Sequence, residues 1–137
     1  MHVQPYLFFE GRCEEALSFY RDKLGAQDLV IMRHSENPEP PARSRMPPGS
    51  ENSIMHSSFR LGDTVVMASD GMCSGAPEFK GVTLSISVPA EAEARRCYDA
   101  LADGGQPIMP LQKTFFSPAF GMVRDRFGVS WMLLTTM

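Results

Sequence analysis

The stretch that decides the fold is residues 3–27, VQPYLFFEGRCEEALSFYRDKLGAQ, because residues 81–106, GVTLSISVPAEAEARRCYDALADGGQ, repeat its order of features. Each copy reads as a strand-like run, an amphipathic helix, and a glycine followed by a glutamine and another apolar run. Tyr20 and Tyr98 hold matching positions in the two helical stretches. Neither half is large enough to bury a full core alone, so the repeat predicts two like units within one domain.

Both halves continue into strand-like runs and close with a hairpin that contains glycine. The apolar periodicities predict helices over 13–24 and 90–103, and strands over 3–9, 29–32, 54–61, 64–69, 82–88, 106–111, 120–124 and 129–135. This order predicts an α+β fold of two βαβββ units, about residues 1–72 and 78–137, with curved mixed sheets around a cavity. Pro5 cannot donate a backbone hydrogen bond, so the first strand is expected at a sheet edge or beside a gap in the sheet.

Residues 35–52 differ from the rest of the chain. They hold five of the eleven prolines and almost no side chain that a core would bury. A stretch of this kind predicts a long loop, and both a lid over the site and a disordered excursion are compatible with it.

The composition is that of an ordinary globular protein, with 43% hydrophobic and 21% charged residues. A net charge of −3 argues against a nucleic-acid partner, which requires clustered Lys and Arg. There is no apolar run of the ~18 residues that span a bilayer and no secretory leader pattern, so we expect a cytoplasmic protein without a membrane partner. Cys13 and Cys97 fall on apolar helix faces and are expected to be reduced core residues, whereas Cys73 lies in a Gly/Ser-rich loop.

Four separated motifs resemble one known family. They are PYLFFEGRCEEALSFY at residues 5–20, Met55-His56, MASD at 67–70 and DRFGVSWM at 125–132. Together they are similar to the PhnB-like branch of the vicinal oxygen chelate superfamily, which includes glyoxalase I, bleomycin-resistance proteins and extradiol dioxygenases. The resemblance implies the paired βαβββ fold and a homodimer. Phe116 departs from the family, whose members often carry Trp at this position.

The resemblance also implies where a divalent metal would bind, since enzymes of the superfamily take its ligands from the first and last strand of each unit. Those positions fall on Pro5, Met67, Thr83 and Met132. Proline has no side-chain donor, thioethers suit soft ions such as copper(I), and one threonine does not hold a metal alone. A shift of one residue restores no set of three or four nitrogen, sulfur or oxygen ligands. We therefore expect no metal and no other cofactor at the inherited site.

The same alignment predicts which side chains line the cavity. It turns Pro5, Leu7 and Phe9 inward and places Tyr6 and Phe8 behind them. The predicted ligand-binding residues are Leu7, Phe9, His56, Ser58, Met67, Thr83, Ser85, Phe116, Arg124 and Met132. Apolar groups beside small polar ones favour a small, flat or apolar ligand with one or two hydrogen-bonding groups, although the same residues also suit a closed core.

His56 is the best candidate for catalysis, because an inward-facing histidine acts as an acid or a base near neutral pH. A hydrogen-bonded structural histidine is the alternative, since no paired carboxylate lies near it in the sequence. Asp70 ends a strand, where it either orients His56 or, as we favour, caps a turn. Arg60 and Arg124 are the only cationic candidates near the cavity, which disfavours polyanionic ligands.

Three functions stay open on the sequence alone. The first is a metal-free module that binds a small, partly aromatic molecule. The second is an enzyme, either metal-dependent and glyoxalase- or dioxygenase-like, or a metal-free acid–base catalyst that uses His56. The third is a structural dimer with a vestigial cavity. Members of the PhnB-like branch have been labelled ubiquinone-pathway methyltransferases, but the sequence has no GxGxxG motif to hold S-adenosylmethionine, so we do not expect that activity.

Overall fold

Apolar stripes at helical spacing produce the two helices that the sequence predicts. In the computed structural model, which describes residues 1–36 and 49–136, α1 spans Cys13–Leu24 and α2 spans Glu91–Ala102. Gly25 follows α1 in the left-handed conformation, with a φ of 71°, and its N–H bonds back to the last turn. No helix in this described part of the chain is long and apolar enough to cross a membrane.

The chain divides into two units, Met1–Pro77 and Glu78–Met137, each with one of these helices and a four-stranded sheet. The strands of the first unit are β1 (Tyr6–Phe8), β2 (Gln27–Arg33), β3 (Ile54–Leu61) and β4 (Thr64–Ser69). Those of the second unit are β5 (Thr83–Val88), β6 (Gln106–Gln112), β7 (Phe120–Arg124) and β8 (Ser130–Thr135).

The two sheets have the same topology. Their strand orders are β1-β4-β3-β2 and β5-β8-β7-β6. The first strand of each set pairs in parallel with the last, and the other neighbours are antiparallel. The predicted α+β fold of two βαβββ units with mixed sheets is therefore confirmed, and β1 lies at a sheet edge as Pro5 indicated.

Only the ends of the predicted loop at 35–52 belong to the described residues. His34–Glu36 forms a 3-10 turn, and residues 49–53 form turns that lead into β3. Residues 37–48, and with them the choice between a lid and a disordered loop, lie outside the described part of the chain.

One face of each sheet is covered by the helix of the same unit. In the first unit, Tyr20 of α1 stacks on Phe59 of β3 and contacts Phe9, with ring-centroid distances of 5.7 and 6.2 Å. In the second unit, α2 packs on β7 and β8, where Trp131 is buried. Tyr98 of α2 donates from its hydroxyl to backbone carbonyls of β6 and β7 at 2.9 and 3.3 Å. The matching tyrosines of the repeat are thus core residues of their units.

Two of the three cysteines belong to these cores, as predicted. Cys13 and Cys97 are buried, whereas Cys73 is partly exposed. Burial raises the pKa of the Cys13 thiol to about 12, and burial also raises the pKa of the Cys97 thiol. Both groups therefore stay neutral at physiological pH and act in packing rather than as nucleophiles.

A buried carboxylate just after β4 joins three parts of the first unit. Asp70 is 3% exposed, and its Oδ1 accepts the backbone N–H groups of Gly11 and Cys13 at 3.0 and 2.8 Å. Its Oδ2 accepts the N–H of Ile54, the first residue of β3, at 2.7 Å. Arg12 precedes α1 and provides no side-chain cap, so Asp70 supplies an acceptor that the helix N-terminus lacks locally.

Asp125 has a related role in the second unit. Its Oδ1 accepts the N–H groups of Phe127 and Val129 at 2.9 and 3.0 Å, and its Oδ2 accepts the indole N–H of Trp131 at 2.8 Å. These contacts close the β7–β8 turn and orient the largest side chain of that core.

Replacing Asp70 with alanine should destabilise the protein by about 2–6 kcal/mol, because at least two buried backbone N–H groups would lose their acceptor. Urea unfolding followed by circular dichroism measures the change. Asp63→Ala is the matched control, since this exposed carboxylate lies in the β3–β4 turn and its loss should cost less than about 0.5 kcal/mol. Equal stability of the two variants would contradict the anchoring role of Asp70.

Candidate functional site

The face of the first sheet that points away from α1 carries most of the predicted site residues of that unit. Ser57 is fully buried and contacts α1, so its neighbours His56 and Ser58 project from the opposite face. The strand register places Met67 beside both Ser58 and Tyr6. The open face of the first sheet therefore carries Tyr6, Phe8, His56, Ser58 and Met67, together with Arg60 and with Val30 and Met32 of β2, which pair with Ser58 and His56.

A hydrogen bond between Tyr6 and His56 is the central feature of this face. The Tyr6 hydroxyl lies 3.0 Å from Nδ1 of His56, and the two ring centroids are 5.6 Å apart. Phe8 extends the row, with its ring centroid 4.9 Å from that of Tyr6, and is 52% exposed. His56 and Met67 are half-buried. The face therefore combines an aromatic and thioether surface with one imidazole.

The predicted orientation of β1 is wrong. Leu7 and Phe9 are buried and face α1, whereas Tyr6 and Phe8 lie on the open face. All four side chains are apolar or aromatic, so alternation alone did not show which pair faces the helix. The comparison with the family predicted that Pro5, and with it Leu7 and Phe9, faces the cavity. In the structure, Tyr6 rather than Pro5 pairs with Met67 of β4. Tyr6 is thus a candidate that the sequence pattern did not reveal, and Leu7 and Phe9 are core residues.

Asp70 does not orient His56, because its carboxylate bonds to backbone N–H groups and the partner of His56 is Tyr6. The backbone carbonyl of Asp70 accepts the N–H of Cys73 at 2.9 Å, so a turn begins at Asp70, but the carboxylate bonds to residues outside this turn and does not cap it as predicted. His34, to which the sequence assigned no role, is buried, and neither of its ring nitrogens has a hydrogen-bond partner within residues 1–36 and 49–136.

The second sheet carries four of the remaining predicted residues on its own open face. Trp131 is buried under α2, so its neighbours in β8 project to the other side. The register pairs Ser85 with Met132, and Ser130 with both Thr83 and Arg124. The predicted site residues on this face are Thr83, Ser85, Arg124 and Met132. Phe116 lies in the loop after β6, with its ring centroid 5.1 Å from that of Phe120.

A groove of about 430 Å³ lies beside α2 and the loop that follows β6. It is lined by Glu91, Ala92, Arg95, Leu111, Gln112, Lys113, Pro118 and Ala119. None of the predicted site residues belongs to this lining. Its ionisable groups carry both signs of charge, so the groove has no single charge preference.

The positions that the resemblance assigns to a metal do not suit one. In the first unit, Met67 offers a thioether, and Pro5 contributes only its carbonyl, which accepts the Met67 N–H at 3.0 Å. In the second unit, Thr83 and Met132 offer one hydroxyl and one thioether. Among the residues that the structure describes, no group of three His, Cys, Asp or Glu side chains has the spacing of a metal site. The side chains present therefore do not fit the divalent metal that the fold family implies.

Comparison with solved structures places the fold among the glyoxalase, bleomycin-resistance and dioxygenase proteins. A domain of that description from Frankia sp. EAN1pec superposes with a TM-score of 0.62 at 18% identity, covering 99% of this chain and 95% of that one. At this identity the likeness concerns the fold alone. It defines the fold class as that of the glyoxalase, bleomycin-resistance and dioxygenase proteins.

Sequence comparison then identifies the family. Residues 1–134 match the family described as 3-demethylubiquinone-9 3-methyltransferase, and the chain belongs to this PhnB-like family. The Protein YjdN of Escherichia coli (strain K12) is 36% identical over 138 residues, covering 97% of this chain and 94% of that protein.

Two solved structures support the same assignment. Protein PA1353 from Pseudomonas aeruginosa is 36% identical with a TM-score of 0.84, and the match covers 99% of this chain and 98% of that one. The putative 3-demethylubiquinone-9 3-methyltransferase, PhnB protein, from Bacillus cereus is 30% identical with a TM-score of 0.81, covering 99% and 100%.

Any zinc, nickel or iron in the isolated protein should not depend on the inherited metal positions. Elemental analysis after dialysis should give the same content for wild type, Met67→Leu, Met132→Leu and Thr83→Val, because thioethers and a single hydroxyl are poor ligands for these ions. Stoichiometric metal that disappears in one of these variants would show that the position does ligate an ion.

Proposed function

We propose that this protein binds a small, flat, partly apolar molecule on the open face of its first sheet. The observation that carries the proposal is the row of Phe8, Tyr6 and His56, in which two aromatic rings lead to a half-buried imidazole. Met67 adds a flexible, polarisable side chain, which suits contact with rings of different shape. Few polar groups within an apolar surface are typical of small-molecule sites.

The charge of this face supports a ligand that is neutral or singly charged. Tyr6, Phe8, His56, Ser58 and Met67 carry no acidic or basic group of fixed charge, and Arg60 adds a guanidinium at one end of the same face. Arg60 is exposed at the end of β3, and one guanidinium does not compensate a polyphosphate. On the second unit, Thr83, Ser85 and Met132 form a comparable surface of small polar and thioether groups on their own sheet, and we propose that this face, with Phe116 and Arg124 of the same unit, also contacts small molecules.

The description of the family names a methyl transfer, which requires a bound methyl donor. The eleven glycines of this chain include no GxGxxG spacing, the signal of a strand–turn–helix that holds a nucleotide cofactor. Among Tyr6, Phe8, His56, Ser58 and Met67 of the first-sheet face, there is also no carboxylate to pair with the positive charge of a sulfonium nucleoside. We therefore propose binding without methyl transfer, with S-adenosylmethionine as a direct comparator.

Acetophenone is a suitable probe for the proposed site, because it combines a flat ring with one hydrogen-bonding atom. In a titration of the ¹⁵N-labelled full chain, the backbone amide shifts should change in β1, β3 and β4. ATP and S-adenosylmethionine should leave those amides unchanged. Absence of any change in these strands with acetophenone, or an equal response to ATP, would contradict the proposal.

Phe8→Ala should weaken acetophenone binding about two- to ten-fold, the loss expected for one aromatic contact. Phe115→Ala is the matched control, because Phe115 is a more exposed aromatic side chain that lies on the second unit. The control should bind like wild type. Equal weakening in both variants would mean that the probe responds to general surface hydrophobicity.

We also propose that the protein forms a homodimer through β2. This edge strand exposes four consecutive apolar residues, Leu29–Met32, each between 39% and 43% exposed. Apolar side chains on both faces of an edge strand are not buried by a single sheet and favour pairing with another strand. A second copy is the natural occupant, since antiparallel pairing about a two-fold axis places the run opposite itself.

Light scattering at micromolar concentration should give a dimer mass for wild type and a monomer mass for Ile31→Lys, since a charge in the middle of the run opposes edge pairing. Val82→Lys, at an exposed apolar position outside β2, should stay dimeric. A monomeric wild type would contradict the dimer, and a dimeric Ile31→Lys would move the interface away from β2.

A further inference from the structure

Which group donates the hydrogen bond between Tyr6 and His56 determines which ligand groups the open face can bind. We infer that the Tyr6 hydroxyl donates to Nδ1 of His56 and thereby holds the proton of the neutral imidazole on Nε2. The site then selects a flat molecule that carries an acceptor oxygen, such as an aryl ketone or an aryl carboxylate. The inference rests on the proposed function and names the ligand class of the same site.

The first step concerns the Tyr6 hydroxyl. Its oxygen is 3.0 Å from Nδ1 of His56, and within residues 1–36 and 49–136 this is its single hydrogen-bond partner. If Nδ1 carried the proton and donated, the hydroxyl proton of Tyr6 would have no acceptor in that part of the chain. If Nδ1 is unprotonated, one bond satisfies both groups, and the phenol acts as the donor.

The second step concerns the other ring nitrogen. A neutral imidazole carries one N–H, so an unprotonated Nδ1 requires a protonated Nε2. Across the described residues, Nε2 of His56 has no hydrogen-bond partner, and it is not among the buried polar atoms that lack one, unlike both nitrogens of His34. His56 therefore presents an unused donor on a half-buried ring.

The third step concerns the ligand. The imidazole of His56 lies beside Tyr6, whose ring contacts Phe8, so a ligand ring on these side chains brings its substituent to the imidazole. An acceptor oxygen on that substituent completes the hydrogen bonding of His56. A donor substituent meets another donor and is rejected, since a site built to donate leaves such a group unpaired.

The tautomer with the proton on Nε2 distinguishes ligand binding from acid–base catalysis by His56, two of the functions that the sequence left open. A general base needs a free lone pair on the nitrogen that faces the substrate, and a protonated Nε2 has none. His56 in this state binds an acceptor and polarises it, and it does not abstract a proton. Tyr6 acts through His56 and is therefore a positioning residue.

The tautomer is measurable without any ligand. Long-range ¹H–¹⁵N spectra of the three histidines should show Nδ1 of His56 as a pyridine-type nitrogen and Nε2 as a protonated, pyrrole-type nitrogen, with assignment from the signals lost in His56→Gln. Tyr6→Phe keeps the ring and removes only the hydroxyl, so it should shift His56 toward a mixture of both tautomers. A protonated Nδ1 in wild type, or an unchanged tautomer in Tyr6→Phe, would overturn the inference.

A matched pair of probes tests the ligand class. Acetophenone and α-methylstyrene have nearly the same shape, but only the ketone carries an acceptor oxygen. Wild type should bind acetophenone about two- to ten-fold more tightly, and this preference should disappear in His56→Phe and shrink in Tyr6→Phe.

The outcomes distinguish the proposed binding of a small molecule from the proposed selection of a ligand with an acceptor oxygen. If neither probe binds to wild type, the proposed function fails. If both probes bind equally, small-molecule binding stands and the assignment of the acceptor ligand is wrong. If His56→Phe does not fold, the preference measured in Tyr6→Phe and the tautomer spectra still decide the question.

Discussion

The buried carboxylate of Asp70 is the interaction on which the first unit depends. Its three backbone contacts join the loop before α1, the start of α1 and the start of β3 at the end of β4. β1 has only three residues and continues into that loop, where Phe9 donates to the carbonyl of Ser69 at 2.8 Å. The contacts of Asp70 therefore help to fix the position of β1 on β4. The position of β1 in turn brings the Tyr6 hydroxyl within hydrogen-bond distance of His56.

The second unit also has a buried carboxylate that accepts backbone N–H groups, but these partners lie nearer to it in the sequence. Asp70 bonds to backbone groups up to 59 residues away, whereas the Asp125 carboxylate accepts the N–H groups of Phe127, Val129 and Trp131, which lie two, four and six residues further along the chain. The first unit thus gains a long-range connection that also places its aromatic row, and the second unit gains a locally closed turn and an oriented Trp131. The Arg33 guanidinium adds a bidentate contact to Glu14 and lowers the pKa of that carboxyl, which links the end of β2 to α1.

Helices and strands whose apolar residues recur at a regular spacing were predictable from the sequence. The orientation of a strand whose two faces are both apolar was not. The stripe of α1 and the alternation of β5 separate apolar from polar residues, so both the elements and the open-face position of Thr83 and Ser85 followed from the sequence. In β1 every residue is apolar or aromatic, and its face depends on register with β4, which is a long-range property. The contact between Tyr6 and His56 joins residues 50 positions apart and left no local signal.

The most direct test of the central claim is a crystal structure of the protein with acetophenone. We expect the ring of the ketone against Phe8 and Tyr6, and its oxygen about 3 Å from Nε2 of His56. Density for acetophenone in the groove beside α2, or a bound ring whose oxygen points away from His56, would contradict the claim that the Tyr6–His56 pair recognises the ligand.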